Sequence, residues 1–348
     1  MPTPRNIVPI VGPAEPETAL AAPPPHLTYH SGHLLANVEV TTIFWGAAWT
    51  RSPDNALVTS VNQFFDDILG SSLIDLLAEY GAADQSIGHG SRTATVTISR
   101  PEPGRALPGG GREINDGEIQ TALQGWIAGG DVDVPNGNTL YFVYLPRNVT
   151  AVLDDARSCQ LFCGYHNHIG DTVFYAVEPF LTCDGCKFGE VIDSLTKVSS
   201  HELCEAITDP TLDAWFDDTP PRNEIGDICN TDTQRLGRWT VQSEWSNEGN
   251  ACLIRPFRHL FTGSPAAVSW GPDRLDFFGI GTDGAMYQRA WTGDTFGDWV
   301  NLGGHFTGSP AAVSWGPDRL DFFGIGTDGA MYQRAWTGDT FGDWVDLA

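Results

Sequence analysis

The sequence predicts an α+β domain arranged around one central helix, followed by an all-β region of two propeller-type blades. Three observations carry this. Strand-like and helix-like apolar patterns alternate over residues 26–256; a helical stretch near Glu190–Thr208 holds metal-ligand side chains on one face; and Phe261–Val300 recurs without a change as Phe306–Val345, a period of 45 residues. With 348 residues, 41% hydrophobic and 12 of them tryptophan, the chain can bury cores in more than one domain.

Residues 1–25 are rich in Pro, Ala and Glu and end in Pro23-Pro24-Pro25, so a disordered tail is expected there. Val38–Trp45 is apolar and β-branched and reads as a strand. Leu57–Ile68 and Leu73–Tyr80 repeat apolar residues at steps of three and four and read as helices. Thr93–Ser99 alternates as a strand, Asn115 or Asp116 caps a helix reaching Trp126, and Thr139–Leu145 and Thr172–Val177 are buried strands. The long helix runs from about Glu190 to Thr208, because Pro210 disfavours helical geometry at Asp209. Asn223–Cys229 and a strand Trp239–Trp245 come next, and the domain closes near Cys252 and Pro256. The repeats occupy 257–303 and 304–348. In the first copy Ala266–Trp270, Leu275–Ile280, Met286–Trp291 and Phe296–Leu302 read as strands, with turns at Gly271-Pro272-Asp273 and Asp283-Gly284. Four short strands at this period fit one blade; two blades leave edges bare, so either a longer chain or a homo-oligomer through the blades is expected to complete a ring.

The 44 acidic and 19 basic side chains give a net charge of −25, which repels phosphate backbones and anionic lipids and argues against nucleic acid as a partner. No stretch reaches the roughly 18 consecutive apolar residues of a membrane helix. Seven cysteines include the close pairs Cys159-x3-Cys163 and Cys183-x2-Cys186, then Cys204, Cys229 and Cys252. Disulfides are the expected state, with a four-cysteine zinc site the alternative; the odd thiol is assigned to Cys204 because it lies within the predicted helix. The N-terminus carries no recognisable signal peptide.

His201, Glu205 and Asp209 fall on one face of that helix at steps of four, with Glu202 beside them. Metallopeptidases place His-Glu-x-x-His in the same way, the histidines holding zinc and the glutamate acting as general base; here Glu205 replaces the second histidine. A third ligand is expected from Glu224 in Glu224-Ile225-Gly226-Asp227, 23 residues after His201, with Asp209, Asp227, His166 and His168 as further or supporting candidates. The alternative is an acidic solvated helix face, or a calcium site of oxygen ligands that leaves His201 out. The set implies an α+β, zincin-like fold with zinc held by His201, Glu205 and Glu224 and Glu202 as base.

Over residues 26–252 the chain resembles the phosphate-induced, or Exordium-like, family. Leu27-Thr28-Tyr29-His30-Ser31-Gly32, Thr42-Ile43-Phe44-Trp45-Gly46, the Cys159–His166 block, and Val198–Glu205 continuing through Asp209-Pro210, Ala214-Trp215-Phe216 and Glu224–Cys229 carry the resemblance. Cys204 stands where the family usually has alanine, and Cys183-x2-Cys186 is one residue shorter than its usual pair. The resemblance implies an extracellular, cell-wall-associated protein. The repeats resemble bacterial propeller lectins that bind fucose and related glycans, through Ser264-Pro265-Ala266-Ala267-Val268 and Gly281–Tyr287; this implies glycan contacts by Trp291, Trp336, Arg289 and Arg334. Two functions are therefore expected: a metal-dependent hydrolase, of zincin-like peptidase type with a peptide or protein substrate, targeted to cell-wall or cell-surface glycans; or a non-enzymatic cell-wall or glycan-binding protein with a structural metal site.

Overall fold

The computed structural model describes residues 7–10, 24–257, 261–297 and 299–347. The chain divides into two units, Met1–Phe257 and Arg258–Ala348. The first is built on a six-stranded mixed sheet of β1 (Ile7–Pro9), β2 (Glu39–Trp45), β3 (Ser91–Ile98), β4 (Thr139–Tyr144), β5 (Phe162–Ile169) and β6 (Val173–Glu178), in the order β1-β5-β6-β4-β2-β3. β6, β4, β2 and β3 run parallel, whereas β5 is antiparallel to β6 and β1 antiparallel to β5.

Both faces of the sheet are covered, which is why β4 is one unbroken apolar run. Leu140, Phe142 and Tyr144 point into a core shared with α1 (Asp54–Ile68), α2 (Ser72–Leu77) and the later long helix; Tyr141 and Val143 point into a second core against α3 (Asp116–Gly129). Asn115 caps α3 in a reciprocal box with Glu118. Helix α4 (Val191–Thr208) stops at Asp209, before Pro210, and every residue from Ser194 to Thr208 is buried. A helix enclosed on all sides with polar side chains inside must have its polar groups answered by the protein or by something the protein holds.

In the first unit the structure departs from the sequence expectations at Ile7–Pro9, at Trp239–Trp245 and at α2, and it adds β5, which no expectation covered. Ile7–Pro9, inside the expected tail, is an edge strand with Ile7 and Val8 buried, because β5 offers it an unpaired backbone edge; residues 1–6 and 11–23 of that tail lie outside the described residues. The segment Trp239–Trp245 is divided into β7 (Trp239–Gln242) and β8 (Glu244–Ser246), which belong to different two-stranded sheets. Between them the Ser243 amide donates to the Asp232 carbonyl. Helix α2 ends at Leu77 and tightens into a 3-10 turn over Ala78–Tyr80.

The cysteines are paired as Cys159–Cys183, Cys163–Cys186 and Cys229–Cys252, leaving Cys204 free and buried. Two bridges tie β5 and the turn before it to the loop preceding α4. The third ties the 3-10 turn Asp227–Cys229 to the strand Ala251–Leu253.

The second unit is all β: β9 (Phe261–Val268), β10 (Leu275–Gly281), β11 (Met286–Trp291) and β12 (Val300–Asn301) form one antiparallel sheet, and β13 (Phe306–Val313), β14 (Leu320–Gly326), β15 (Met331–Trp336) and β16 (Val345–Asp346) its copy. The first strand of each copy begins five residues earlier than expected and contains the turn-like Gly-Ser-Pro as an irregularity in the pairing. Phe278, Ile280 and Met286 of the first sheet pack on Phe306, Leu320 and Phe322 of the second, with the Phe278 and Phe322 rings stacked at 4.8 Å.

Candidate metal centre

Three elements of the first unit bring their ligand-type side chains to one buried place. β5 supplies His166, α4 supplies His201, Glu202 and Glu205, and the turn after Asn223 supplies Glu224 and Asp227. His201, Glu202, Glu205 and Glu224 are fully buried and His166 is 1% exposed; Asp227 is partly exposed, although its carboxyl group lies deep among protein atoms.

Two glycines make this convergence possible. A Cβ on Gly164 would stand 2.6 Å from Val198 Cγ1 and 3.3 Å from Glu202 Oε1, so α4 lies directly on the β5 backbone. A Cβ on Gly226 would stand 2.6 Å from His201 Nδ1, so that backbone lies flat against the imidazole. Gln242 on β7 completes the cradle: its Nε2 donates to the Gly226 carbonyl at 2.8 Å and lies 2.7 Å from His201 Nδ1, turning Nε2 of the ring inward.

The donor atoms fall into two groups, each mutually within 4.8 Å: His166, Glu205 and Glu224; and His201, Glu205 and Asp227. His201, Glu205 and Glu224, expected to bind together, are thus spread over both groups. His166 Nδ1 donates to Glu202 Oε2 at 3.2 Å, and His166 Nε2 is 3.5 Å from Glu224 Oε2. His201 Nε2 lies 2.9 Å from Glu205 Oε1, yet neither atom makes a hydrogen bond. Asp209 belongs to neither group and accepts from the Ala214 amide at 2.6 Å, holding the turn after α4. His168 lies toward the end of β5, where its Nδ1 donates to the Gly170 carbonyl at 2.7 Å.

Glu202, Glu205 and Asp227 have no lysine or arginine partner among the described residues; the bases beside them are imidazoles. Burial by itself would push His166 down, but the adjoining Glu202 and Glu205 carry it up to about 10. His201, also opposed by burial, is raised to about 9 by Glu205. Glu205, which burial would raise, is instead held down to about 2 by the two histidines. Two further carboxylates that no local pattern marks, Glu178 and Glu244, lie close by, fully buried and without a hydrogen bond, and burial pushes both well above the usual range. The cluster is short of positive charge, and imidazoles and carboxylates of this kind suit a borderline divalent ion such as zinc better than the all-oxygen preference of calcium.

In the second unit, Arg289 Nε donates to the Gly297 carbonyl and its guanidinium lies over the Phe296 and Trp299 rings. Arg334 donates to the carbonyls of Gly342 and of Leu302 in the other copy. Trp291 and Trp336 are both half-buried. The Trp336 ring sits 5.4 Å from that of Trp270, with the Arg274 guanidinium 5.3 Å from Trp270 and 5.9 Å from Trp336; Arg274 donates from Nε and Nη2 to the buried Asp276 carboxylate, which also accepts from Trp270 Nε1.

No family model matches the chain. Among solved structures it is similar to a fucose lectin from Kordia zhangzhouensis in complex with methyl-fucoside, at 16% identity over 33% of this chain and 78% of that one, with a TM-score of 0.22. Among curated proteins it is similar to Protein EXORDIUM-like 5 of Arabidopsis thaliana, 23% identical over 239 residues, which span 59% of this chain and 64% of that relative's length.

Proposed function

We propose that the chain is an extracellular, non-enzymatic glycan-binding protein whose first unit is braced by a buried divalent-metal centre, with zinc as its ion. The observation that carries this reading is the closure of the centre: four of its six side chains are fully buried, whereas a catalytic zinc keeps a position open to substrate. Three disulfides support an oxidising, extracellular location, and no helix among the described residues is long and apolar enough to cross a membrane. The mixed sheet with α4 laid on it supports a zincin-like description of the first unit. In the second unit, the half-buried Trp270 and Trp336 offer flat indole faces to sugar C–H groups. The blade motifs make fucosides the first sugars to try.

A second reading, a metal-dependent hydrolase acting on a peptide, draws on one feature. Glu202 adjoins both donor groups and keeps Oε1 without a hydrogen bond, as a general base would. Loss of hydrolysis in Glu202→Gln with metal retained is the result that reading requires.

Elemental mass spectrometry on protein purified without a histidine tag tests the metal centre. Bound zinc in the unaltered chain, reduced in His201→Ala, is expected; zinc-free protein, or zinc unchanged in the variant, rejects it. A glycan array on the full chain tests the second unit, with loss of signal expected in Trp336→Ala.

A further inference from the structure

Glu205 stands between two imidazoles rather than beside one. Its Oε1 lies 2.9 Å from His201 Nε2 and its Oε2 3.5 Å from His166 Nδ1, and neither oxygen carries a hydrogen bond. Each imidazole also brings a carboxylate of its own, Glu224 beside His166 and Asp227 beside His201. The site therefore contains two donor sets, each of one imidazole and two carboxylates, with Glu205 common to both.

Charge points the same way. Glu202, Glu205, Glu224 and Asp227 place four carboxylates around two imidazoles in a buried region. With neutral imidazoles, one divalent ion leaves two of these four negative charges uncompensated, and a second compensates both. An uncompensated buried charge is among the most destabilising features a fold can carry. Glu202, which binds the Nδ1 proton of His166, acts as the outer carboxylate that fixes the orientation of that ring.

We propose that the centre is dinuclear: two divalent transition-metal ions bridged by the Glu205 carboxylate, one held with His166 and Glu224, the other with His201 and Asp227. This rests on the metal-centre reading above and adds the number of ions and their bridge. Mixed imidazole and carboxylate donors select ions such as zinc, manganese, cobalt or iron over calcium and magnesium.

The test uses the full chain, stripped with a chelator, reloaded with Zn²⁺ or Mn²⁺ and gel-filtered. Two ions per chain are expected by elemental mass spectrometry. In the Mn²⁺ form, the six-line electron paramagnetic resonance signal of isolated ions should be replaced by that of an exchange-coupled pair. His166→Ala and Asp227→Ala should each retain one ion and restore the six-line signal, with circular dichroism confirming that they fold. One ion per unaltered chain, or two that do not couple, overturns the bridged pair and leaves the metal centre standing; no retained ion of either kind overturns both. The count and the coupling in the unaltered chain decide the proposal whether or not the variants fold.

Discussion

Gly226 approaches the His201 imidazole more closely than any other residue type would allow, and that contact, with the Gln242 amide, fixes where the ring's second nitrogen points. Protons and metal compete for that nitrogen. In the metal-free protein His166 and His201 are raised to about 10 and about 9 from an ordinary value near 6.5. A histidine raised by folding stabilises the fold fully below its unfolded value, and that contribution fades as pH climbs through the folded one. Glu205, held down to about 2, contributes above the ordinary glutamate range and loses its contribution only as pH falls toward 2. The metal-free first unit should therefore lose stability as pH rises from about 6.5 to 10. A bound metal must displace the imidazole protons, so its stabilisation grows over the same interval. Melting temperatures measured across this range should fall in chelator and stay level in zinc, because the metal-bound and the unfolded imidazoles are then both unprotonated; parallel slopes would show that these imidazoles do not hold the ion.

Among the elements, β1 is the one composition conceals. Ile-Val-Pro in a Pro- and Ala-rich tail has no strand periodicity to read, yet the edge of β5 takes it in, with Ile7 opposite Tyr165 and the Pro9 carbonyl accepting from Asn230 Nδ2 at 2.9 Å. β1 also touches α4 and the turn that holds Asp227, so it borders every element that supplies the centre. Burying Ile and Val side chains is worth about 1.5–3 kcal/mol each, against about 1–2 kcal/mol of backbone entropy per ordered residue. Over Ile7–Pro9 the two terms come to about 3–6 kcal/mol each, so removing residues 1–10 should cost no more than about 3 kcal/mol in denaturant unfolding, and an unchanged midpoint would show that the strand adds nothing net. Helix α4, by contrast, was legible from end to end. Its spacing and the Pro210 stop are local signals, and the structure ends it at Thr208 as they require.

At the scale of the whole molecule, the repeats show how little an amino-acid sequence says about exposure. Met286 is fully buried and its counterpart Met331 is 49% exposed; Leu275 is 39% exposed and its counterpart Leu320 is 1%. Each sheet has two different apolar faces, and the tandem joins one face of the first copy to the opposite face of the second. An apolar groove of about 450 Å³ lined by Phe261, Phe277, Phe296 and Trp299 remains on the first copy, and Ile325 and Met331 remain uncovered on the second. A head-to-tail contact of this kind, carried on between chains, would build a ring where the rotation closes. Light scattering should report a mass that is a multiple of 37.7 kDa, and Met331→Lys should return it to the single chain. A monomeric parent would show that something else covers these faces.

By itself the sequence determined whatever a few neighbouring residues decide: the helix that carries His201, Glu202 and Glu205, the capped start of α3, the disulfide chemistry with Cys204 left over, and the tandem of short strands. It also offered every residue of the two donor groups as a candidate, His201 and Glu205 by helical spacing and His166, Glu224 and Asp227 by side-chain type. Only the tertiary structure decided how those residues are shared out. It placed Glu205 between His166 and His201 and enclosed the cluster away from water. It also brought in Glu178, Glu244 and Gln242, whose burial leaves no mark in their own segments. The physical reason is one of range. Helix spacing, caps and stops act over a few residues, whereas burial and electrostatic neighbourhood depend on segments far apart in the chain, so even identical copies can take opposite roles.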